Sequence, residues 1–134
     1  MLKKSHQSGK SPIILLVESD EFLADIYAKN LEMENFRVVK VSNGERALAQ
    51  LKTKNVDLVL LSATLPNMNG FEVLAEIKKD NKTASIPVIL LSKLGAKEDV
   101  EKSRELGAEA YIIKSHFRPS EIVDKIKKLL FKRT

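Results

Sequence analysis

Val56-Asp-Leu-Val-Leu-Leu-Ser-Ala-Thr-Leu-Pro-Asn-Met-Asn-Gly-Phe-Glu-Val-Leu74 decides the fold, because its chemistry changes character twice within a few turns of chain. The run from Val56 to Leu61 is short, apolar and β-branched in part, which suits a strand covered on both faces. Pro66-Asn-Met-Asn-Gly70 is a turn, and Phe71, Leu74 and Ile77 then recur at helical spacing. The same alternation extends in both directions. Upstream, Ile13-Ile-Leu-Leu-Val17 reads as a strand and Leu23, Ile26, Tyr27 and Leu31 as a helix behind Asp20, a good N-cap. A second strand over Arg37 to Ser42 and a short helix around Ala47, Leu48 and Leu51 follow. Downstream come a strand over Pro87 to Leu91, a helix from Val100 to Leu106 ending at Gly107, and a strand from Tyr111 to Lys114. Ser120 is expected to cap a last helix carrying Ile122, Val123, Ile126, Leu129 and Leu130. Strand and helix joined in turn by short connections imply right-handed crossovers, hence an α/β domain with a doubly wound, five-stranded parallel sheet.

The 134 residues make one domain with ample core, since Ile, Leu, Val and Phe supply 43 of them. No cysteine is present, which excludes disulfides, thiolate metal sites and thiol nucleophiles, and leaves zinc only His6 and His116. No apolar run approaches the roughly 20 residues that cross a bilayer, and the start of the chain lacks the apolar stretch of a signal peptide. A soluble cytoplasmic protein without membrane contact is expected. The net charge of +5 suggests nucleic acid until the cations are located. Three lie in residues 1–11 and five in 125–134, both without acids, which leaves −3 for residues 12–124. Basic tails on a mildly acidic body do not make the one-faced cationic surface that a phosphate backbone needs. The division expected is a flexible basic tail over 1–11, a domain over 12–131 and a short tail over 132–134.

In parallel α/β sheets functional groups gather at the carboxyl ends of the strands. Those ends read Glu18-Ser19-Asp20, Ser62-Ala63-Thr64, Ser92-Lys93 and Lys114-Ser115. Each residue also has a plainer reading: Asp20 as an N-cap, Tyr111 as strand packing, Ser62 and Ser92 as strand-end hydroxyls, and His116 as an exposed loop residue. Lys114 is harder to explain this way, because a lysine in a rim crevice needs a counter-charge.

Leu-Leu-Val-Glu18, Asp57-Leu-Val-Leu-Leu, Leu65-Pro-Asn-Met-Asn-Gly-Phe-Glu-Val-Leu74, Pro87-Val-Ile-Leu-Leu-Ser92, Glu105-Leu-Gly-Ala-Glu-Ala-Tyr111 and Lys114 together resemble the receiver domain of bacterial response regulators. The resemblance runs from about Ile13 to Leu130. It implies the flavodoxin-like (βα)5 fold of CheY-like proteins and a place in two-component phosphorelay signalling. Nothing but Phe131-Lys-Arg-Thr134 follows the last helix, so a single-domain receiver is expected. In the family, Mg²⁺ and an aspartate at the end of the third strand take a phosphoryl group from a histidine kinase. Here the phosphoacceptor position is Ser62, and the acidic pair is Glu18 and Ser19, with Asp20 adjacent. By the same resemblance Ser92 and Tyr111 are the switch residues and Lys114 the phosphate-pairing lysine. The proline usual after that lysine is absent from Ser115-His-Phe-Arg-Pro119, so a longer loop without a cis peptide is expected.

These departures disfavour the family's chemistry. Mg²⁺ wants near-octahedral oxygen ligation with one or two placed carboxylates, so it is expected to bind weakly at most, with no resident metal or cofactor. A serine hydroxyl, unlike an aspartate, must lose a proton to attack, and its phosphate ester would be stable rather than labile. The leading expectation is a pseudo-receiver, not an enzyme, that binds a signalling protein such as a histidine kinase or downstream effector as a monomer or weak dimer. Its partner face would carry Lys93, Lys97, Tyr111 and Lys125. The alternative is a receiver phosphorylated at an unconventional site, with Glu18 and Asp20 holding Mg²⁺. A flavodoxin-like cofactor binder is disfavoured because none of the five glycines forms G-x-G. Ser62 offers Lys114 no anion, so the lysine is expected to pair with Glu18 or Asp20 and to hydrogen-bond Ser62.

Overall fold

In the computed structural model, which describes residues 11–131, strands and helices alternate throughout. The strands are β1 (Ile13–Val17), β2 (Arg37–Val41), β3 (Leu58–Ser62), β4 (Val88–Ser92) and β5 (Ala110–Ile113). The helices are α1 (Glu21–Met33), α2 (Gly44–Thr53), α3 (Gly70–Lys79), α4 (Lys97–Glu105) and α5 (Pro119–Leu130), with a 3-10 turn over Lys114–His116. The expected tails lie, apart from Ser11, outside the described residues, as does His6.

All neighbouring strands are parallel, in the order β2-β1-β3-β4-β5. This is the doubly wound sheet expected from the sequence. Because side chains alternate across a strand, the uninterrupted apolar runs divide between two cores. Ile14, Leu16, Leu58, Leu60, Ile89 and Leu91 face α1 and α5. Leu15, Val17, Val59, Leu61, Val88 and Leu90 face α2 and α3. Truncating a leucine in either layer to alanine costs about 2–5 kcal/mol.

Several helix starts are chemically explicit. Asp20 accepts a hydrogen bond from the Leu23 amide at 3.2 Å, the N-cap expected of it. Asn69 and Glu72 form a reciprocal capping box on α3. The expected Ser120 cap is not found: α5 begins two residues earlier, at Pro119, with Arg118 as its N-cap. Proline's fixed φ suits a first helical position, and Glu121 accepts from the Arg118 amide at 2.7 Å. α4 begins at Lys97 rather than Val100, since its first turn is polar and carries no apolar period to read. Gly107 follows α4 at φ +100°, the left-handed conformation expected there.

β1 spans the residues expected, and the limits of the other strands shift by a residue or two. Asp57 precedes β3 instead of belonging to it, its carboxylate accepting from the Ile13 amide at 2.8 Å. Lys114 is not the last residue of β5 but the first of the 3-10 turn, and no cis peptide occurs among the described residues. None of the described helices is long and apolar enough to cross a membrane.

Candidate functional site

The carboxyl ends of β1 and β3 and the turn after β5 converge on a closed polar knot. Glu18 directly follows β1, where its amide donates to the Val41 carbonyl at 3.1 Å, so its side chain is fixed by the sheet itself. One carboxylate oxygen accepts from Lys114 Nζ at 2.8 Å and the other from the Asp20 amide at 3.1 Å. The two side chains are 3% and 12% exposed, Glu18 and Lys114 respectively, so this ion pair is largely withdrawn from water. Ser62, the last residue of β3, is 1% exposed. Its hydroxyl donates to the Thr64 carbonyl at 3.1 Å and accepts from Lys114 Nζ at 3.4 Å.

The floor of this knot is shaped by Gly70. A Cβ there would lie 2.3 Å from the Ser62 carbonyl oxygen, so only glycine lets α3 start against the end of β3. The Gly70 amide donates to the Ala63 carbonyl at 2.9 Å and closes the turn.

Glu18, Ser62 and Lys114 are thus brought together, with the pairing the sequence implied. Asp20 and Ser19 are not part of the knot. Asp20 is exposed and occupied in capping α1, while Ser19 is exposed beside it. Ser92 and Tyr111, for which the resemblance implies a switch role, meet elsewhere, on the backbone of Leu94. Ser92 Oγ accepts from the Leu94 amide at 3.3 Å, and the Tyr111 hydroxyl donates to the Leu94 carbonyl at 2.7 Å. Lys93 and Lys97 are exposed on either side of this loop. Lys125, expected on the same face, sits 5.2 Å from the centre of the Phe117 ring in a cation–π contact. His116 is exposed in the 3-10 turn.

Tyr27, which helical spacing assigns to the core, is in the core and also within electrostatic reach of Glu18 and Asp20. It is buried on α1, and its hydroxyl pKa is raised by that burial and then by the charges of Glu18 and Asp20. Leu94 had no signal at all, since a backbone carbonyl acceptor is the same in every residue.

The donor set does not fit the divalent cation that the resemblance implies. Of the acidic positions the resemblance implies, only Glu18 carries a carboxylate into the knot, since Ser19 has none and Asp20 caps α1. A cation at Glu18 would also have to displace an ammonium already 2.8 Å from the carboxylate, or stand beside it against like-charge repulsion.

Comparison with known proteins agrees with this architecture. A sequence model described as the response regulator receiver domain matches residues 14–127. The transcriptional regulatory protein CpxR of Klebsiella pneumoniae is 38% identical over 117 residues, which are 87% of this chain and 48% of that protein. The DNA-binding dual master transcriptional regulator RpaA of Synechocystis is 32% identical over 119 residues, 89% of this chain and 49% of that protein. The chain therefore spans about half the length of these relatives. Among solved structures, a CheY-like receiver domain protein from Methanospirillum hungatei superposes with a TM-score of 0.85 at 28% identity, covering 92% of this chain and 96% of that one. The receiver domain of a signal transduction histidine kinase from Syntrophus aciditrophicus gives 0.83 at 31% identity, covering 92% and 95%.

Proposed function

The chain belongs to the response regulator receiver domain family, and from that premise we propose that it acts as a pseudo-receiver: a module that binds a signalling protein without aspartyl phosphorylation and without catalysing a reaction. One observation carries the reading. Ser62, at the position that the resemblance gives to the nucleophilic aspartate, is buried and hydrogen-bonded to the Thr64 carbonyl and to a Lys114 ammonium already paired with Glu18.

Each part of the family's chemistry meets an obstacle there. A phosphoryl donor would need an anionic nucleophile in reach, whereas Ser62 has no adjacent free base: Glu18 is committed to Lys114 and the Asp20 amide. The cationic lysine that would greet the incoming phosphate is already neutralised. The alternative, in which Glu18 and Asp20 hold Mg²⁺ for phosphorylation at another site, is weakened by the same two hydrogen bonds and by the capping role of Asp20.

What the family does by phosphorylation would here be done by partner selection. On this reading the contact surface lies around Tyr111, Lys93, Lys97 and Lys125, which favours a partner with acidic groups opposite them. A histidine kinase or a downstream effector in the cytoplasm is the class of partner in view. The test is incubation of the protein with acetyl phosphate and Mg²⁺, read by intact mass. The unmodified mass is expected; a phosphoryl adduct on any residue would overturn the reading.

A further inference from the structure

Opposite the rim, at the amino ends of β4 and β5 where α5 terminates, lies a cleft of about 710 Å³. Its apolar lining comes from Ala110 of the sheet, with Ile89 fully buried behind it, and from Leu129 and Phe131 at the end of α5. The Phe131 ring is stacked on Phe36, with centroids 6.0 Å apart and planes at 23°, which holds it as a wall instead of letting it fall inward. The volume is that of a site for a small ligand, within the usual range of about 300–1,000 Å³.

The charges around this cleft are unequal. Lys125, Lys127 and Lys128 border it against the single carboxylate of Glu109. Two of the lysines are engaged: Lys127 with Glu34 at 2.8 Å, and Lys125 over the Phe117 ring. Lys128 is exposed and makes no ion pair with a described residue. An apolar trough with one uncommitted cation at its edge matches a molecule with an alkyl body and one anionic end. The trough takes in only the ends of two strands and the last turns of α5, which is shorter than the several turns an amphipathic peptide helix lays into a groove.

We propose that this cleft is a binding site for one single-chain amphiphile with a terminal carboxylate. Its alkyl chain lies over Ala110, Leu129 and Phe131, and its carboxylate meets Lys128. The site lies away from the rim and shares only Lys125 with the proposed partner face, and its carboxylate contact, Lys128, is not part of that face, so it holds whether or not the pseudo-receiver reading does.

The experiment is a titration of the full chain with octanoate, decanoate and dodecanoate below their micellar concentrations, followed by amide chemical shifts. Saturable single-site binding is expected, with shifts centred on Glu109, Ala110 and Lys125 to Phe131. Affinity should rise with chain length by up to about fourfold per methylene, the burial of about 0.8 kcal/mol each. Lys128→Glu, a surface change, should weaken decanoate several-fold while leaving decanol binding unchanged. Absence of saturation would overturn the proposal, as would affinity independent of chain length or of Lys128. Equal shifts at the separately exposed Phe22, Met33 and Leu94 would show non-specific adsorption and overturn it as well.

Discussion

Glu18→Gln removes the charge that holds the Lys114 ammonium and keeps the shape of the side chain. Removing one member of a buried ion pair costs about 3–5 kcal/mol, because the other charge is left without compensation in a poorly solvated place. Glu18 is 3% exposed but Lys114 is 12% exposed, so some water reaches the lysine and the low end, about 3 kcal/mol, is expected. For a domain of this length that corresponds to a fall in Tm of roughly 10–15 °C. The measurement is urea unfolding by circular dichroism at neutral pH. The loss should change little with added salt, since a buried pair is poorly screened. The double variant Glu18→Gln with Lys114→Met should recover most of the loss, an apolar side chain of similar length being tolerated where a lone charge is not. A cost below about 1 kcal/mol is what an exposed pair gives. That result, or a double variant no better than the single, would mean that the rim is open to water and that Glu18 is available to a cation, against the reasoning above.

Other consequences are separately measurable. Ser19→Asp combined with Ser62→Asp rebuilds the family's acidic set, and low-millimolar Mg²⁺ should then raise Tm by several degrees through mass action while leaving the unaltered protein nearly unchanged; an equal rise in both would refute the fit argument. Tyr27 has a raised hydroxyl pKa in the fold. Below about pH 10 both folded and unfolded chains keep the proton, and above it the unfolded chain loses it first, so this residue's contribution to stability is lost as pH rises. The urea midpoint of Tyr27→Phe should therefore fall less than that of the unaltered protein between about pH 8 and about pH 11, and parallel curves would contradict this. Gly70→Ala, whose Cβ would lie 2.3 Å from the Ser62 carbonyl oxygen, should destabilise by about 1–3 kcal/mol in the same unfolding assay, and a neutral result would mean that α3 is not seated against β3 as described.

The sheet was legible because its central strands are buried on both faces, so Ile13 to Val17 and Leu58 to Leu61 show no polar interruption that could be mistaken for a helix face or a half-exposed strand. The Lys114–Glu18 pair was legible for an energetic reason: a lysine at the inner rim cannot stay without an anion, and Ser62 is not one. The start of α4 was not, since the only buried residue of that helix is Ser103, and periodicity reads apolar faces. The α5 cap was misread because Ser120 and Pro119 are both helix-start signals one residue apart, and only the backbone settles which prevails. The meeting of Ser92 and Tyr111 on Leu94 escapes any sequence rule, since both bond to its main chain. The lower cleft escapes for a different reason: Ile89, Ala110 and Leu129 belong to three elements, and nothing in their local patterns marks them as neighbours.

On the pseudo-receiver reading, Ser92 and Tyr111, the switch positions that the resemblance implies, acquire a different meaning. A ligand moves a two-state equilibrium only by its differential affinity for the two states. On that reading no phosphoryl group supplies that difference at the rim, whose charge is balanced from within by Glu18, and the Tyr111 hydroxyl on the Leu94 carbonyl is the exposed contact that a partner can act on. A single hydrogen bond of this kind is worth about 1 kcal/mol net, or roughly a fivefold population ratio. A partner on the Tyr111 face therefore needs only a small preference to choose the tyrosine's position, whereas displacing the Lys114–Glu18 pair would require several times as much. On the pseudo-receiver reading, the molecule combines a rigid rim with a soft face, and regulation passes from phosphate chemistry to the identity and concentration of whatever binds beside Tyr111.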